Sequence, residues 1–594
     1  MPFLPQVYET RQTQVVTSAF LGYNRNLRVG EGSNNVKPIS GLEFWDMQNL
    51  TSDYYPLMAN RAKRGIVTTL TAPGGLLAKE ALAYVDNQKL YYNGAEITGL
   101  TLTTGSKQLV SMGAYLVIWP DRKYLNTKNL TDFGSLDNTV TTSTDVSYAV
   151  CEMDGTDIDS IATEQPEDPA SGDWWLDTST TPHSLKRYSG STSTWVTQPT
   201  VYVKISCTGI GQGFSQWDGV NISGIAYTGA SSVEEQFANL NGTHIIQAKG
   251  DNWIVIVGLI DIAYTQTTGE VTVARTAPDM DYITEAGNRL WGCKYGFVNG
   301  QTVNEIYACA LGDFKNWNQF QGISTDSYAA SVGTDGKWTG AITHLGYPML
   351  FKENVFHKIY VSSSGAHQIQ DTACRGVQDG CSHSLAIVGE RLFYKSRAGI
   401  MMYDGSLPEC VSSALGTETY SNAAAGALND KYYVSMQDSA ENWHLFVLDT
   451  AKGIWHREDD THALYFTRQG NELYYISSDN KLIAATGTTG TAEGSVSWYA
   501  ETGLIGYTTV EQKYVSRFNF RMQLPVGSEA ALFIEYDSDG LWHPCGQMIG
   551  QGTGSFMIPV RPRRCDHFRV RIEGTGDVRV YSMAKLYDAG SDVL

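Results

Sequence analysis

The chain has 594 residues, of which 42% are hydrophobic and 18% charged, and its 62 acidic and 43 basic side chains give a formal net charge of −19. This length exceeds one compact core, so we expect about three or four folding units. The apolar content excludes a disordered chain. The negative net charge disfavours a nucleic-acid-binding protein, because affinity for nucleic acid comes largely from Lys and Arg.

The cysteines and the apolar stretches indicate the compartment. Nine cysteines are present, an odd number, and no C-x-x-C occurs. We therefore expect free, buried thiols in a reducing compartment, with disulfides as the alternative. No basic stretch followed by an apolar one opens the chain, so no signal peptide is predicted. The longest apolar stretches, such as 115–119, are too short to cross a bilayer, so no stable membrane insertion is predicted. We expect the chain to fold in a cytoplasm.

The first half of the chain predicts strands interrupted by two insertions. Residues 1–145 are interpreted as an N-terminal segment and the first propeller blades, residues 146–200 as a tiny β module, and residues 201–280 as a second β-rich module. In the last of these, Ser232 and Glu235 have the spacing of a capping box at a helix start. The tiny module has a predicted aromatic core formed by Trp174, Trp175, Tyr188 and Trp195.

A repeat of aromatic strand pairs organises residues 281–500. Strands start near 350, 392, 432 and 473, a period of about 40 residues, which is the size of one four-stranded propeller blade. A lone blade cannot cover both of its faces, and stacking blades around an axis buries them. Five residues should hold equivalent inner-strand positions: Leu290, Leu350, Leu392, Tyr432 and Leu473.

The last hundred residues change character again. Residues 518–522, 531–536 and 568–572 alternate with period two, and Asp539-Gly540 indicates a hairpin turn. We read residues 501–594 as a C-terminal β-sandwich. The predicted fold class is therefore all-β, a β-propeller of five to seven blades with small β modules inserted in its first half and this sandwich at its end. An array of hairpins in a solenoid or sandwich is the alternative.

No motif for catalysis, a cofactor or a metal stands out. No G-x-x-x-x-G-K-[ST] phosphate loop occurs. The run Glu458-Asp459-Asp460 is expected to be a solvated loop, since a glycosidase needs two carboxylates at a set separation across a cleft. Asp154, Asp157 and Asp159 match a calcium loop without its terminal Glu, which favours ordinary turn chemistry. We expect no enzyme activity, no cofactor and no metal.

Two groups of residues are candidate interaction surfaces. The dense basic run 561–567 contains Arg561, Arg563 and Arg564, which are candidates to contact an acidic face of a neighbouring subunit, because Arg binds carboxylates bidentately and stays charged. The alternative is a solvated strand edge. The aromatic residues of the 146–200 module are candidates for a glycan-stacking or docking surface: Trp174, Trp175, Tyr188 and Trp195.

Several stretches together resemble tail structural proteins of bacteriophages and prophages. They are residues 41–50, 53–57, 61–65, 288–292, 312–317, 325–328 and 397–405. The nearest described relatives are the tail nozzle or hub proteins of short-tailed phages, which cap the packaged DNA and are β-propeller proteins arranged as a ring below the portal and adaptor. The stretch from Gly172 to Trp195 is similar to small decorations inserted into many phage tail proteins.

The resemblance implies a virion tail protein assembled in the host cytoplasm. It implies a homo-oligomeric ring, expected to have six subunits, that lines and closes the DNA exit channel until genome ejection. Its implied neighbours are portal or adaptor and tail-fibre or tail-spike proteins, and viral DNA would pass through the lumen without specific binding. The negative charge is compatible with such a conduit. A receptor-binding tail protein that recognises host-surface glycan and a propeller glycan hydrolase remain alternatives.

Overall fold

A computed structural model of the chain describes residues 13–17, 19–30, 37, 39, 41–298, 300–361, 366–506, 512–561 and 563–589. Within these ranges the chain forms 54 β-strands, one α-helix and two short 3₁₀ helices. The described residues fall into two compact units. The first unit takes residues up to 106, 350–357 and 371 onward, and the second takes 107–349 and 358–370. No helix in the described ranges is long and apolar enough to cross a membrane.

Six strands precede the first blade-like sheet. They are β1 (Thr13–Thr17), β2 (Phe20–Tyr23), β3 (Leu42–Gln48), β4 (Leu50–Thr51), β5 (Met58–Asn60) and β6 (Gly65–Thr69). Two four-stranded sheets follow, each with its strands in chain order. The first lies in the first unit and consists of β7 (Pro73–Lys79), β8 (Ala81–Asp86), β9 (Lys89–Tyr92) and β10 (Ala95–Thr101). The other lies in the second unit and consists of β11 (Gln108–Met112), β12 (Tyr115–Trp119), β13 (Lys123–Asn126) and β14 (Phe133–Ser135).

An inserted module follows in the second unit. Its elements are β15 (Asn138–Thr141), β16 (Val146–Cys151), β17 (Ser160–Ala162), β18 (Trp174–Asp177), β19 (Ser184–Ser189), β20 (Thr194–Thr197), β21 (Tyr202–Ser206), β22 (Gly219–Ser223), α1 (Ser231–Ala238), β23 (Gly242–Ile245), β24 (Ala248–Gly250), β25 (Trp253–Val257), β26 (Tyr264–Gln266) and β27 (Thr272–Arg275). Three sheets result, with the orders β15-β27-β22-β23, β24-β25-β21-β16-β26 and β17-β18-β19-β20. All three contribute to one hydrophobic cluster, together with Phe237 of α1.

The boundaries within this module differ from the expected division at residue 200. Strands β16 and β21 pair as an antiparallel hairpin in which Cys151 lies opposite Tyr202. Only the sheet β17–β20 is therefore nested, inserted between the two strands of that hairpin. The helix is present near its expected start, but its N-cap is Ala230 rather than Ser232.

Five further blade-like sheets follow. Their strands are β28 (Tyr282–Glu285), β29 (Leu290–Val298), β30 (Gln301–Ala308) and β31 (Tyr328–Ser331); β32 (Trp338–His344), β33 (Tyr347–Lys352), β34 (Val355–Val361) and β35 (His367–Ala373); β36 (Ala386–Val388), β37 (Arg391–Ser396), β38 (Gly399–Tyr403) and β39 (Glu409–Cys410); β40 (Ser421–Leu428), β41 (Lys431–Gln437), β42 (Trp443–Asp449) and β43 (Ile454–Arg457); and β44 (Ala463–Gln469), β45 (Glu472–Ser477), β46 (Lys481–Ala484) and β47 (Thr491–Ala492). The 3₁₀ helices are Ser382–Ser384 and Ser413–Leu415. The fifth sheet is completed from the N-terminal region, because β6 lies between β46 and β47.

The fold class is confirmed: the chain is all-β, with propeller-type sheets, inserted β modules and a C-terminal sandwich. Within the first unit, the first strands β36, β40, β44 and β7 lie side by side in that order, and within the second unit β11, β28 and β32 do the same. Gly426 permits this close approach, because a Cβ there would lie 2.6 Å from the Cβ of Phe466 on β44. The five predicted equivalent residues all lie on the second strand of their sheets and are fully buried: Leu290, Leu350, Leu392, Tyr432 and Leu473.

The C-terminal sandwich incorporates strands from both ends of the chain. Its own strands are β48 (Ser497–Thr502), β49 (Lys513–Leu524), β50 (Glu529–Tyr536), β51 (His543–Ile549), β52 (Gly552–Pro559), β53 (Phe568–Thr575) and β54 (Arg579–Ala589). One sheet has the order β2-β3-β48-β53-β50-β51, and the other has the order β4-β5-β54-β49-β52 with β1 also paired to β54. The expected alternation is present, since Phe518, Phe520 and Met522 of β49 are buried. The sequence pattern did not place β1–β5 in this sandwich.

Candidate functional site

In the second unit, residues 288–292, 312–317 and 325–328 meet around one buried arginine. Arg289, which is 4% exposed, donates hydrogen bonds to the carbonyl oxygens of Cys309 at 2.7 Å, Ser324 at 2.6 Å and Asp326 at 2.5 Å. The Asp326 carboxylate in turn accepts the backbone N–H of Gly322 at 2.6 Å. These bonds tie the start of β29 to the long connection between β30 and β31. Arg289 and Asp326 therefore hold this connecting loop in place.

The stretch 312–317 belongs to the same assembly. The N–H of Gly312 donates to the carbonyl of Asn288 at 2.9 Å. Phe314 and Trp317 are buried in a cluster that also contains Leu290. Three separate stretches of the chain thus stabilise one connection between β30 and β31.

A second arginine-centred cluster lies in the first unit, and we call it the closing cluster: Arg61, Arg64, Glu458, Asp459 and Glu493. Arg64 binds Asp459 and Glu458, each at 2.6 Å, and Arg61 binds Glu493. The N–H of Arg64 also donates to Glu493 at 2.8 Å. Arg61, Arg64 and Glu458 are each 6% exposed. The expectation that Glu458-Asp459-Asp460 forms a solvated loop is wrong for the first two residues, because cations from a distant part of the chain bury them.

The charges of the closing cluster stabilise one another. Burial alone would lower the pKa of the Arg64 guanidinium, but the adjoining Asp459 and Glu458 carboxylates raise it well above its ordinary value. Burial alone would raise the pKa of Asp459, but the Arg64 charge and hydrogen bond lower it. The pKa of Glu493 is also lowered, because its bonds to Arg61 and Arg64 outweigh its burial. Arg64, Asp459 and Glu493 therefore remain charged at neutral pH.

The position of the closing cluster explains what it does. Arg64 is followed at once by β6, the strand that completes the last propeller sheet, in which Ile66 pairs with Ile483 of β46. Glu458 and Asp459 follow β43 of the preceding sheet. The buried ion pairs therefore fasten the N-terminal strand at the point where two successive sheets of the first unit adjoin.

A polar cavity of about 360 Å³ lies beside the closing cluster in the first unit. We call it the last-sheet cavity, since β45, β46 and β6 supply much of its lining. Its lining residues are Arg64, Ile66, Asp460, Thr461, His462, Tyr475, Ser477, Ser478, Asp479, Lys481, Ile483 and Glu493.

The predicted basic segment lies between β52 and β53, and Arg561, Arg563 and Arg564 are all exposed. Arg563 is engaged within the chain, because its Nη1 lies 3.3 Å from Asp539 and its guanidinium lies 5.0 Å from the ring centroid of Tyr536. Arg561 and Arg564 have no ion-pair partner among the described residues. Two of the three arginines are thus available to an acidic partner.

The aromatic residues of the nested sheet divide between its two faces. Trp175, Tyr188 and Trp195 share one face, with ring-centroid distances of 5.4 Å from Trp175 to Trp195 and 5.3 Å from Tyr188 to Trp195. Trp174 points to the opposite face, since neighbouring strand residues alternate, and packs against the core of the larger module. Trp175 is 5% exposed, with the Lys186 ammonium 4.7 Å from its ring centroid. The expectation of one four-residue surface is therefore corrected: Trp175 is a core residue, and Tyr188 and Trp195 are half-buried.

The remaining candidate residues have structural roles. Asp154 accepts the N–H of Thr156 at 2.9 Å, which is ordinary turn chemistry. Asp157 pairs with Lys204 at 3.4 Å, and Asp159 accepts the N–H of Trp174, 15 residues away, at 2.7 Å. Within the described ranges, no group of His, Cys, Asp and Glu side chains is arranged to hold a metal ion. None of the nine cysteines forms a disulfide within the described residues, and six of them are buried.

Sequence reasoning missed both the closing cluster and the last-sheet cavity. A signal was present, because Arg61 and Glu458 each stand directly after a strand and Arg64 stands directly before one. Charged residues at the ends of buried strands need partners. The sequence did not show that these particular ends meet.

Comparison with known proteins leaves the family of this chain open. No protein-family model matches it, and no curated protein matches it. Acylaminoacyl peptidase of Pyrococcus horikoshii is 11% identical with a TM-score of 0.23, over 54% of this chain and 48% of the peptidase, so the chain spans about half of that protein. An exo-β-1,3-galactanase of Phanerochaete chrysosporium is 9% identical with a TM-score of 0.19, over 51% of this chain and 95% of the enzyme. PorZ, a surface component of the type-IX secretion system of Porphyromonas gingivalis, is 12% identical with a TM-score of 0.25, over 92% and 81% of the two chains. Similarity at these TM-scores assigns neither a family nor an activity.

Proposed function

We propose that the chain is a structural subunit of a bacteriophage tail, a propeller-type nozzle or hub protein that assembles into a ring around the DNA exit channel. One observation carries the proposal: stretches that resemble phage tail proteins, 288–292, 312–317, 325–328 and 61–65, lie in buried arginine-centred clusters that hold strands and loops together. Residues with that role stabilise the fold and take no part in a chemical reaction. In this proposal the chain is not an enzyme.

Ring assembly requires each subunit to present two different surfaces, because a cyclic ring uses heterologous contacts. Arg561 and Arg564 are exposed on a chain of net charge −19 and supply a basic contact for an acidic neighbour. The proposed neighbours in the tail are further copies of this chain, the portal or adaptor, and tail-fibre or tail-spike proteins. DNA would pass the predominantly acidic protein without specific binding.

The ring is tested with the purified full-length chain. Light scattering coupled to size-exclusion chromatography should give a closed oligomer, with six subunits expected, and negative-stain electron microscopy should show rings with a central channel. Mass spectrometry of purified, nuclease-treated phage particles from a lysate that produces the chain should detect it as a stoichiometric component. A chain absent from such particles would refute the tail assignment, whatever its oligomeric state.

Glycan recognition by a receptor-binding tail protein is the second candidate function. The half-buried rings of Tyr188 and Trp195 favour it, since aromatic rings at a surface suit stacking on sugars. A glycan array probed with the wild-type chain and with Trp195→Ala tests this role. Binding that is lost in the variant would support it, and an array without any signal would count against it.

A further inference from the structure

A cavity of about 350 Å³ lies at one end of the C-terminal sandwich, in the first unit, and we call it the Arg579 cavity. Its lining comes from the end of β49, the start of β54 and the residues that follow β4 and β5. Arg579, the first residue of β54, is half-buried, and its guanidinium lies 3.8 Å from the ring centroid of Tyr54. A guanidinium stacked this closely on an aromatic face is held in one orientation, while the N–H groups in its plane stay free to bind.

Two cations that line the Arg579 cavity are available to a ligand. Among the described residues, the Arg579 guanidinium has no hydrogen bond and no ion pair, and its nitrogens are accessible to solvent. The side chain of Lys63 is exposed and has no partner within these ranges either. Both cations can therefore bind a ligand in the cavity without breaking a bond that the protein already makes.

The other charged residues of the lining leave these two cations in excess. Asp53 and Arg61 are each paired, with Lys431 at 2.6 Å and with Glu493. Asp577 is the remaining carboxylate of the lining, and the hydrogen bond that it accepts within the described residues, at 3.4 Å, comes from a neutral amide. Two free cations against one carboxylate give the cavity one excess positive charge, which favours a ligand with a single negative charge.

A carboxylate fits these groups better than a nucleic acid does. The planar guanidinium of Arg579 binds a carboxylate bidentately, and Lys63 adds a second positive charge. Nucleic acid presents a row of phosphates, and a chain of net charge −19 with two free cations at the site does not neutralise that row. The Gln523 amide also lines the cavity and, together with Asp577, supplies acceptors for N–H groups beside the carboxylate. An acidic peptide carries both kinds of group.

We propose that the Arg579 cavity binds one carboxylate group of an acidic peptide. Arg579 is its bidentate partner, Lys63 is the second cation, and Tyr54 positions the guanidinium. The volume of about 350 Å³ is within the range of small-ligand pockets. The site is separate from the exposed Arg561 and Arg564 and does not rest on the tail role, so a failure to bind the peptide would leave the ring proposal untouched.

The test uses saturation-transfer difference NMR on the full-length chain at low ionic strength. The probe is N-acetyl-glycyl-aspartyl-glycinamide, titrated to about 5 mM, since a peptide held by one carboxylate is expected to bind with a Kd on the order of 1 mM. The asparaginyl peptide of the same length has the same shape without the charge. Thymidylyl-thymidine, which carries one phosphodiester, is the nucleic-acid comparator.

Substitutions assign the binding to the cavity. Arg579→Gln should weaken binding of the aspartyl peptide about tenfold, because it removes the charge-assisted hydrogen bonds, and Lys63→Gln should weaken it about threefold. Tyr54→Leu should weaken it about threefold, whereas Tyr54→Phe keeps the ring and should bind as the wild type does. Arg521→Gln is the matched control, because Arg521 is an exposed arginine of the neighbouring strand β49 that bonds to Ser555 at 3.1 Å and does not line the cavity.

The melting temperature of each variant checks that it is folded, and the decision rests on the exposed Lys63 if Arg579→Gln is destabilised. Binding that is lost in the cavity variants, kept in Arg521→Gln and absent for the asparaginyl peptide would support the proposal. It is overturned if the aspartyl peptide gives no signal, if the asparaginyl peptide binds equally well, or if binding survives in both Arg579→Gln and Lys63→Gln. Stronger binding of thymidylyl-thymidine would overturn it as well, because the cavity would then be a phosphate site.

Discussion

Removing the Arg64 guanidinium tests whether the closing cluster fastens β6. Arg64→Met keeps the length of the side chain but leaves Glu458 and Asp459 buried without their nearest cation. Breaking a buried pair in this way costs about 3–5 kcal/mol. We expect the lower end, because Arg61 remains 3.9 Å from Glu458 and 3.8 Å from Asp459.

The measurement is local, because a chain with several folding units does not unfold in two states. Hydrogen exchange followed by mass spectrometry reports the opening of Gly65–Thr69 and its partner strand Lys481–Ala484. A loss of about 3 kcal/mol corresponds to a fall in protection of about 10²-fold. Peptides of the second unit should exchange as in the wild type.

Arg397→Met is the matched control. Arg397 also binds a carboxylate through two nitrogens, with distances of 3.0 and 2.6 Å to Glu353, but its side chain is 70% exposed. An exposed pair contributes about 0.2–1 kcal/mol, so this variant should change protection by less than about tenfold. If Arg64→Met affects β6 no more than Arg397→Met affects its own surroundings, the closing cluster does not hold the strand.

Three further predictions concern the closing cluster, the nested sheet and the exposed arginines. Acid should loosen β6, because the pKa values of Asp459 and Glu493 are lowered in the folded chain. Their stabilisation is complete above about pH 5, which lies above both unfolded pKa values, and is lost as the pH falls through the lowered values. Protection factors that stay constant down to about pH 2 would contradict this. Replacing residues 152–201 by Gly-Gly should preserve most of the cooperative melting seen by circular dichroism, because the hairpin of β16 and β21 brings the two ends together. Loss of most of that transition would show that the rest of the chain needs the nested sheet in order to fold. The double substitution Arg561→Glu and Arg564→Glu should abolish rings in electron micrographs at an unchanged melting temperature. Normal rings in this variant would mean that the segment is a solvated edge and not a subunit contact.

Much of the fold was predictable because the relevant signals are local. Alternation and aromatic spacing predicted the blade-like strands, and Leu392, Tyr432 and Leu473 do occupy the same strand of successive sheets. The hydrophobic period of a strand reports which side chains leave water, and it can be read from neighbouring residues alone. The same reasoning predicted the alternating strands of the C-terminal sandwich.

The interaction sites were less predictable, because each depends on what a residue meets across the fold. Trp174 and Trp175 look equivalent in the sequence, yet they lie on opposite faces of one strand and have different surroundings. Arg563 looks like Arg561 and Arg564, yet only Arg563 lies within reach of Asp539. Composition and spacing identify such groups but not their neighbours.

The sequence by itself determined that this chain is all-β and that its strands recur with a blade-sized period. Only the tertiary structure decided that β6 completes a sheet more than 400 residues further along the chain and that Arg64 meets Asp459, 395 residues away. The physical reason is that the alternation of a strand fixes which of its faces is buried, whereas its partner is chosen by packing and by the entropy of closing a long loop, which increases only slowly with length. The local sequence pattern of a strand therefore does not specify which distant strand it pairs with.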